Sequence, residues 1–493
     1  MRPLTEDLPR RLAAATAAAI AAAALAATAF TVPAAGADTA RGIDWQPCPD
    51  RPDIDCATIE VPLDYDHPHR GTIEIGLARA EAAGPGERIG SLLVNPGGPG
   101  GSGVDTVKDG FTHPAFDVIG FDPRGVNTST PVQCDPALVQ AANAIAHPAN
   151  EAEFEARLAA NAALTADCRE RTGPLFDHMD TRTTVEDMER IRRAIGEGDL
   201  NYLGYSYGTL MGQQYAEEYP HRIRAMVLDG NLDHGIDTAW EFASAETAAF
   251  EDNFTAFTAW CDTTPGCALG GGAAAAYEDL KTAARTGTLT DPATGEPVDF
   301  HALTATAFAA NFPQRWPDLA AALAALRDGV PHEAALAAPE SEPVNYAALP
   351  IYCQDWSYPV PDFAAWQDLA DRAATAFPTV EWSPYNDNLL GCLGTGIEQT
   401  NPQGPLDIDN APPLLIIGTL HDYASVHPWS RTVADQADQH LLTYEGYGHT
   451  IYGKASDCID TVVDAYLIDL DHPRRDQSCP GLDHPPAPAG GTS

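Results

Sequence analysis

The chain has 493 residues, and its 28 Lys and Arg stand against 70 Asp and Glu, a formal charge of −42. That balance excludes a nucleic-acid phosphate surface as the main partner and reads as a solvated acidic shell. The length exceeds one simple core while the apolar content, 44%, is ordinary, so one large domain with an insertion, or two domains, is expected.

Residues 1–37 read as an export signal. Arg2, Arg10 and Arg11 form a basic start diluted by Glu6 and Asp7, residues 12–32 are almost all small or apolar, and Ala35-Gly36-Ala37 offers a cleavage site. Beyond it no segment is long and apolar enough to span a bilayer, so the mature chain is expected to be secreted without a stable membrane association. The ten cysteines suit an oxidising compartment. Proximity in sequence suggests the pairs Cys48–Cys56, Cys134–Cys168, Cys261–Cys267, Cys353–Cys392 and Cys458–Cys479. No Cys-x-x-Cys pair or cluster of His ligands is present, so neither a metal nor a cofactor is expected.

From residue 38 two alternating stretches, 57–63 and 72–78, read as a hairpin. A buried strand at 91–94 runs into Asn95-Pro96-Gly97-Gly98-Pro99-Gly100-Gly101-Ser102-Gly103. That loop lacks the Gly-Lys-Ser/Thr ending of a phosphate loop, and reads as backbone amides forming half of an oxyanion hole. The next strand, 116–121, leads to Asp122-Pro123-Arg124-Gly125, where Asp122 and Arg124 are read as an ion pair pinning the turn. Helical periodicity covers 137–172 and then 183–195, the latter with Thr183 or Thr184 as its cap.

The stretch around which the chain is organised follows. Asn201-Tyr202-Leu203 is a short apolar strand, Gly204-Tyr205-Ser206-Tyr207-Gly208 is a Gly-x-Ser-x-Gly turn, and a helix runs on to about Tyr219. A serine hydroxyl needs to be held clear of its neighbours and given a base, and a strained strand-turn-helix elbow does the first. Strands alternating with helices predict a mostly parallel sheet covered on both faces. After Asp229-Gly230-Asn231 the pattern turns to Ala-rich helical segments at 239–259, 272–285 and 302–326, which read as an inserted lid. Strands resume near 413–418, and 352–391 is hard to place on either side of the boundary. The expected parts are a core half over 38–235, a lid over 236–400, a second core half over 401–482 and a disordered tail over 483–493.

The strand after the lid ends in His421-Asp422, and the last strand, 441–444, leads through Glu445-Gly446-Tyr447-Gly448 to His449. A carboxylate after the penultimate strand and a Gly-flanked histidine after the last give the order Ser206, Asp422, His449 for nucleophile, orienting acid and base. These motifs, with Val61-Pro62-Leu63-Asp64-Tyr65, resemble the secreted α/β-hydrolase peptidases of the tripeptidyl aminopeptidase and proline iminopeptidase type. The resemblance spans nearly all the mature chain outside the lid. It implies the α/β-hydrolase fold, with Ser206 as nucleophile, His449 as base, and the amides of Gly98 and Tyr207 as oxyanion donors. One departure is visible, because the family's Asp-x-x-Thr-Pro is here Asp422-Tyr423-Ala424-Ser425-Val426, without the proline.

The leading expectation is a serine aminopeptidase acting on peptides through an acyl-enzyme. A carboxylesterase on the same residues and a non-catalytic binding protein are the alternatives. An aminopeptidase needs a carboxylate for the substrate ammonium. On the first lid helix Glu241, Glu246 and Glu251 are spaced by five, so successive ones lie about 140° apart and cannot all face one site. Glu241 and Glu251 are about 80° apart and could share a face. Those two, with Asp355 beside Cys353, are the candidates.

Overall fold

Short runs of apolar residues between glycine-rich turns form the sheet, and the amphipathic stretches between them cover it. The computed structural model describes residues 42–331 and 346–482. The expected leader and tail lie outside the described residues.

The core opens with β1 (Gln46–Pro47), β2 (Asp55–Pro62), β3 (Thr72–Ala80) and β4 (Gly90–Asn95), then α1 (Gly103–Lys108) and β5 (Phe116–Phe121). Next come α2 (Pro136–Asn143), α3 (Glu151–Thr172), α4 (Thr181–Ile195), β6 (Leu200–Tyr205), α5 (Tyr207–Glu218) and β7 (Ile223–Asp229). Between β7 and the next strand stand α6 (Ala239–Thr263), α7 (Ala273–Arg285), α8 (Phe300–Ala307), α9 (Trp316–Asp328), α10 (Ala348–Asp355) and α11 (Phe363–Ala376). The chain then completes the sheet with β8 (Leu415–His421), α12 (His427–Gln436), β9 (His440–Tyr447), α13 (Asp457–Asp469) and β10 (Gln477–Pro480).

The strand order is β1-β2-β3-β5-β4-β6-β7-β8-β9-β10. The first four pair antiparallel and the rest run parallel. Alternation along each parallel strand feeds two cores. On β6, Leu200 and Tyr202 pack with Leu210 and Met211 of α5 and Met188 of α4, while Leu203 and Tyr205 pack toward Val104 of α1 and Val463 of α13. The inserted helices have a third core of their own, built on Phe250, Phe254, Phe257, Tyr277 and Trp316. The sheet therefore fixes the elbow at the C-terminal end of a central strand, and the insertion stands over it on independently packed helices. Five disulfides join the ten cysteines as their proximity suggested.

Several local readings change. The helical stretch over 137–172 is two helices, broken where Asn150 caps α3 by accepting from the Glu153 amide. Helix α4 starts two residues early because Asp180, not a threonine, accepts from the Thr183 amide. The stretch over 302–326 is interrupted by two 3-10 turns, at Phe308–Asn311 and Pro313–Arg315, the second with a proline at its start. Asp122 and Arg124 do not pair with each other. Arg124 forms a two-toothed contact with the buried Asp187, at 2.7 and 2.8 Å, while Asp122 accepts from Ser102, Val104 and Thr128. An ion pair between two residues of one turn loses to a planar fork that meets a carboxylate on a neighbouring helix.

Candidate active site

Ser206 stands between β6 and α5 with φ +54° and ψ −122°, a conformation a non-glycine residue adopts only under strain. Two glycines make the turn possible. A Cβ on Gly204 would sit 2.4 Å from the Gly208 carbonyl oxygen, and one on Gly208 would sit 2.7 Å from that of Asn95. The turn is tied down from both sides. The Ser206 amide donates to the Asp229 carbonyl at 2.9 Å, and the Thr209 hydroxyl donates to the Ser206 carbonyl at 2.6 Å. Its hydroxyl is left half-buried on the wall of a cavity of about 840 Å³.

The glycine-rich loop after β4 lies against this turn. A Cβ on Gly97 would come within 2.7 Å of the Tyr207 nitrogen, so only glycine permits the approach. Gly98 and Tyr207 both line the cavity beside Ser206. Tyr207 is the first residue of α5, where an amide has no acceptor within its helix. Two amides so placed can stabilise an oxyanion formed on a carbonyl attacked by Ser206.

His449 follows β9 after Gly448, whose φ is +122°. Its Nδ1 lies 3.0 and 2.9 Å from the two carboxylate oxygens of Asp422, which leaves Nε2 as the nitrogen free to take a proton. Asp422 is 1% exposed and also accepts from the Ala424 and Ser425 amides and the Ser425 hydroxyl. Ser425 stands where the family has threonine, and its Oγ also lies 3.3 Å from His449 Nδ1. The absent proline is compensated two residues later, because α12 begins at His427 with Pro428 in its first turn. A Cβ on Gly230 would lie 3.3 Å from His449 Cε1, and Gly230 follows the residue that receives the Ser206 amide. The imidazole thus borders the elbow, although no Ser206–His449 hydrogen bond is closed. Such contacts are often long in a resting site and tighten around substrate.

The arrangement has the parts of acyl transfer, and comparison with known proteins points the same way. Residues 90–280 match the family described as alpha/beta hydrolase fold, and residues 380–479 the family described as TAP-like protein. The serine protease Hip1 of Mycobacterium tuberculosis is 31% identical over 476 residues, covering 86% of this chain and 88% of the relative. The chain belongs to the TAP-like α/β hydrolases. As a serine hydrolase of that family it is also similar to a tripeptidyl aminopeptidase of Streptomyces lividans, 30% identical over 90% of this chain and 88% of the relative. A carboxylesterase B of M. tuberculosis is 32% identical, covering 84% of each.

The hydrolase places its lid carboxylates differently from the helical-face argument. Glu241 accepts from the Thr238 hydroxyl in a capping box at the start of α6. Glu251 accepts from the Thr379 and Val380 amides and ties α6 to the chain after α11. Asp355 is fully buried among Thr181, Asn401 and the Tyr207 hydroxyl, and burial pushes its carboxyl up to about 7. None of the three lines the cavity. Glu246 does, at 1% exposure and with neither carboxylate oxygen hydrogen-bonded. Burial, reinforced by the Asp422 charge, holds its carboxyl well above the ordinary range. The tyrosines beside it on the wall include Tyr352 and Tyr358, whose hydroxyls are also buried and unpartnered.

Sequence reading also passed over Asp229. Its carboxylate accepts from the Ile451 and Tyr452 amides at 2.7 and 2.9 Å, holding the loop just past His449. Burial raises that carboxyl to about 6. The signal available was its place directly after the buried apolar run Ala225-Met226-Val227-Leu228, where a charged group requires partners.

Proposed function

We propose that this hydrolase is a secreted aminopeptidase that releases short pieces from peptide N-termini. Ser206 attacks the scissile carbonyl while His449 takes its proton, and Asp422 holds the imidazole in the tautomer that leaves Nε2 free. The Gly98 and Tyr207 amides receive the negative charge of the tetrahedral intermediate. His449 then returns the proton to the leaving amine, and water resolves the acyl-enzyme by the same route.

One observation carries the exopeptidase part of this reading. An unpartnered, buried carboxylate on the cavity wall is costly unless a cation comes to it, and the free ammonium of a peptide N-terminus is such a cation. Glu246 is in that position, and the rings of Tyr352, Tyr358 and Tyr385 add polarisable faces. The five disulfides suit an extracellular protein. Among the described residues no helix is long and apolar enough to cross a membrane.

The test is a set of peptides, each assayed free and N-acetylated. Free peptides are expected to be cleaved and their acetylated copies far more slowly, with Glu246→Gln reducing the difference. Equal rates on both forms would remove the aminopeptidase reading. The carboxylesterase reading, favoured by the similarity to carboxylesterase B, would then be examined with neutral esters.

A further inference from the structure

The cavity that Ser206 lines contains a second charged group without a counterion. Arg157, on α3, is 8% exposed and lines the cavity near Asn143 and the Cys134–Cys168 bridge. Its Nη1 donates to the carbonyls of Ala142 and Ile145, the latter at 3.1 Å, stitching the end of α2 and the loop after it to α3. Its Nε is buried and has no acceptor. Among the described residues no carboxylate lies within ion-pair distance of the guanidinium. Asp387 is the acid that acts on it through space, and that side chain is engaged by Trp382 Nε1 at 3.2 Å and faces His147 Nδ1 at 3.5 Å.

A purely structural arginine of this kind would be expected to have its fork satisfied. In a chain carrying −42, carboxylates are abundant, yet none has been placed against this one. The guanidinium fork matches a carboxylate edge-on through Nε and Nη2, and here that edge is the one without protein acceptors. Burial weakens the hold of the guanidinium on its proton, the direction expected of an under-compensated buried cation.

We propose that Arg157 forms a carboxylate-accepting subsite within the substrate cavity, at a position distinct from Glu246. This rests on the cavity being the substrate site, and it makes the preferred ligand dipolar, with an ammonium for Glu246 and a carboxylate for Arg157. The carboxylate comes either from an acidic side chain near the peptide N-terminus or from the C-terminus of a short peptide.

Matched peptides separate the two sources. One series exchanges Asp for Asn and Glu for Gln at each of the first three positions. The other compares a free C-terminus with its amide on peptides of two to five residues. In the wild-type protein one series should show KM about tenfold or more higher for the amide, the cost of a charged hydrogen bond. In Arg157→Gln that amide-to-acid KM ratio should fall to about one. The ratio is insensitive to general damage from loosening the α2–α3 stitch, because both members of each pair meet the same protein. An effect in the first series identifies a side chain, and in the second a terminus. No acid preference in either series, or one that persists in Arg157→Gln, overturns the proposal. If no peptide is cleaved at all, the aminopeptidase reading fails separately, and the subsite is read from p-nitrophenyl esters. The glutarate half-ester should then have a lower KM than the butyrate ester in wild type but not in Arg157→Gln, and equal KM values in wild type would overturn it.

Discussion

Ser206 is held at positive φ by two close glycine contacts and two hydrogen bonds, so its hydroxyl can be removed without disturbing what positions it. Ser206→Ala should therefore lower turnover by several orders of magnitude at unchanged thermal stability, with a small residual rate from the oxyanion amides. A variant lacking the hydroxyl that turns over like wild type would falsify the assignment. Asp422→Asn should cost roughly three to four orders of magnitude, because an amide in place of the carboxylate turns the imidazole to the wrong tautomer. An active Asp422→Asn alongside an inactive Asp229→Asn would move the orienting role to the other acid. Glu246 gives a pH signature. Its carboxyl is raised, so at low pH it is neutral and holds an ammonium poorly. As pH rises through that raised value the carboxylate forms, and KM for free-amine peptides should fall until the substrate amine itself loses its proton near ~7.7–8.0. Acetylated peptides, and free peptides on Glu246→Gln, should show no such fall. A KM profile identical in the two proteins would detach Glu246 from the ammonium.

At the scale of elements the question is what ties the insertion to the core. Asn253 of α6 donates to the His421 carbonyl and Asp252 contacts His421 Nδ1 at 2.7 Å, so the first lid helix rests on the end of β8, just before Asp422. Helix α10 is tied more deeply. Its last residue, Asp355, meets the first residue of α4 and, through Tyr207, the first residue of α5. Because burial raises the Asp355 carboxyl to about 7 from an unfolded value near 4, the native state holds a proton there that the unfolded chain has released. Its stabilising contribution is thus present at low pH and is lost as pH rises from about 4 to about 7. Asp355→Asn removes that term, so its stability relative to wild type should increase across this window, whatever its absolute level, when both are unfolded in urea at several pH values. A constant difference would mean the carboxyl titrates alike in both states. The same helix carries Cys353, bridged to Cys392 across 39 residues. Replacing both by alanine should lower unfolding stability by on the order of 2–4 kcal/mol, seen as an earlier urea midpoint.

For the whole molecule, charge dominates. With −42 spread over one chain, self-repulsion opposes the folded state, and salt reduces it by shortening the screening length from about 10 Å at 0.1 M to about 3 Å at 1 M. The melting temperature should rise from low to high sodium chloride. A fall would mean that the surface pairs, such as Arg171 with Asp167, outweigh the net repulsion. Charge also bears on substrate choice. A protein this acidic repels polyanions and attracts cationic peptides, so the Arg157 subsite would select among peptides already drawn in by their ammonium.

The places of Ser206, Asp422 and His449, each just after a strand of the parallel sheet, were legible in the sequence because each residue closes a local pattern. An apolar run of strand length ends in a glycine-flanked turn, and the physics of that turn involves only a few neighbours. The alternating strands gave the parallel sheet for the same reason. The cysteine pairs followed from proximity along the chain, since short loops close at least entropic cost. Helix ends were less legible, because whether Asp180 or a threonine caps α4 depends on competing local acceptors. Choices among distant partners could not be read at all. The partner of Arg124 is Asp187, 63 residues away, and its burial depends on how α4 lies against the turn after β5. Three glutamates spaced by five on α6 are equivalent in sequence. Only the packing of that helix turns Glu246 into the cavity and leaves Glu241 to cap and Glu251 to tie, since about 140° separates successive members. Arg157 is one more arginine on a surface-like helix until the end of α2 and the loop after it take up its Nη1 and leave its Nε buried without an acceptor on the cavity lining. A nucleophile elbow is a property of five consecutive residues, whereas an unpaired buried charge is a property of everything around it.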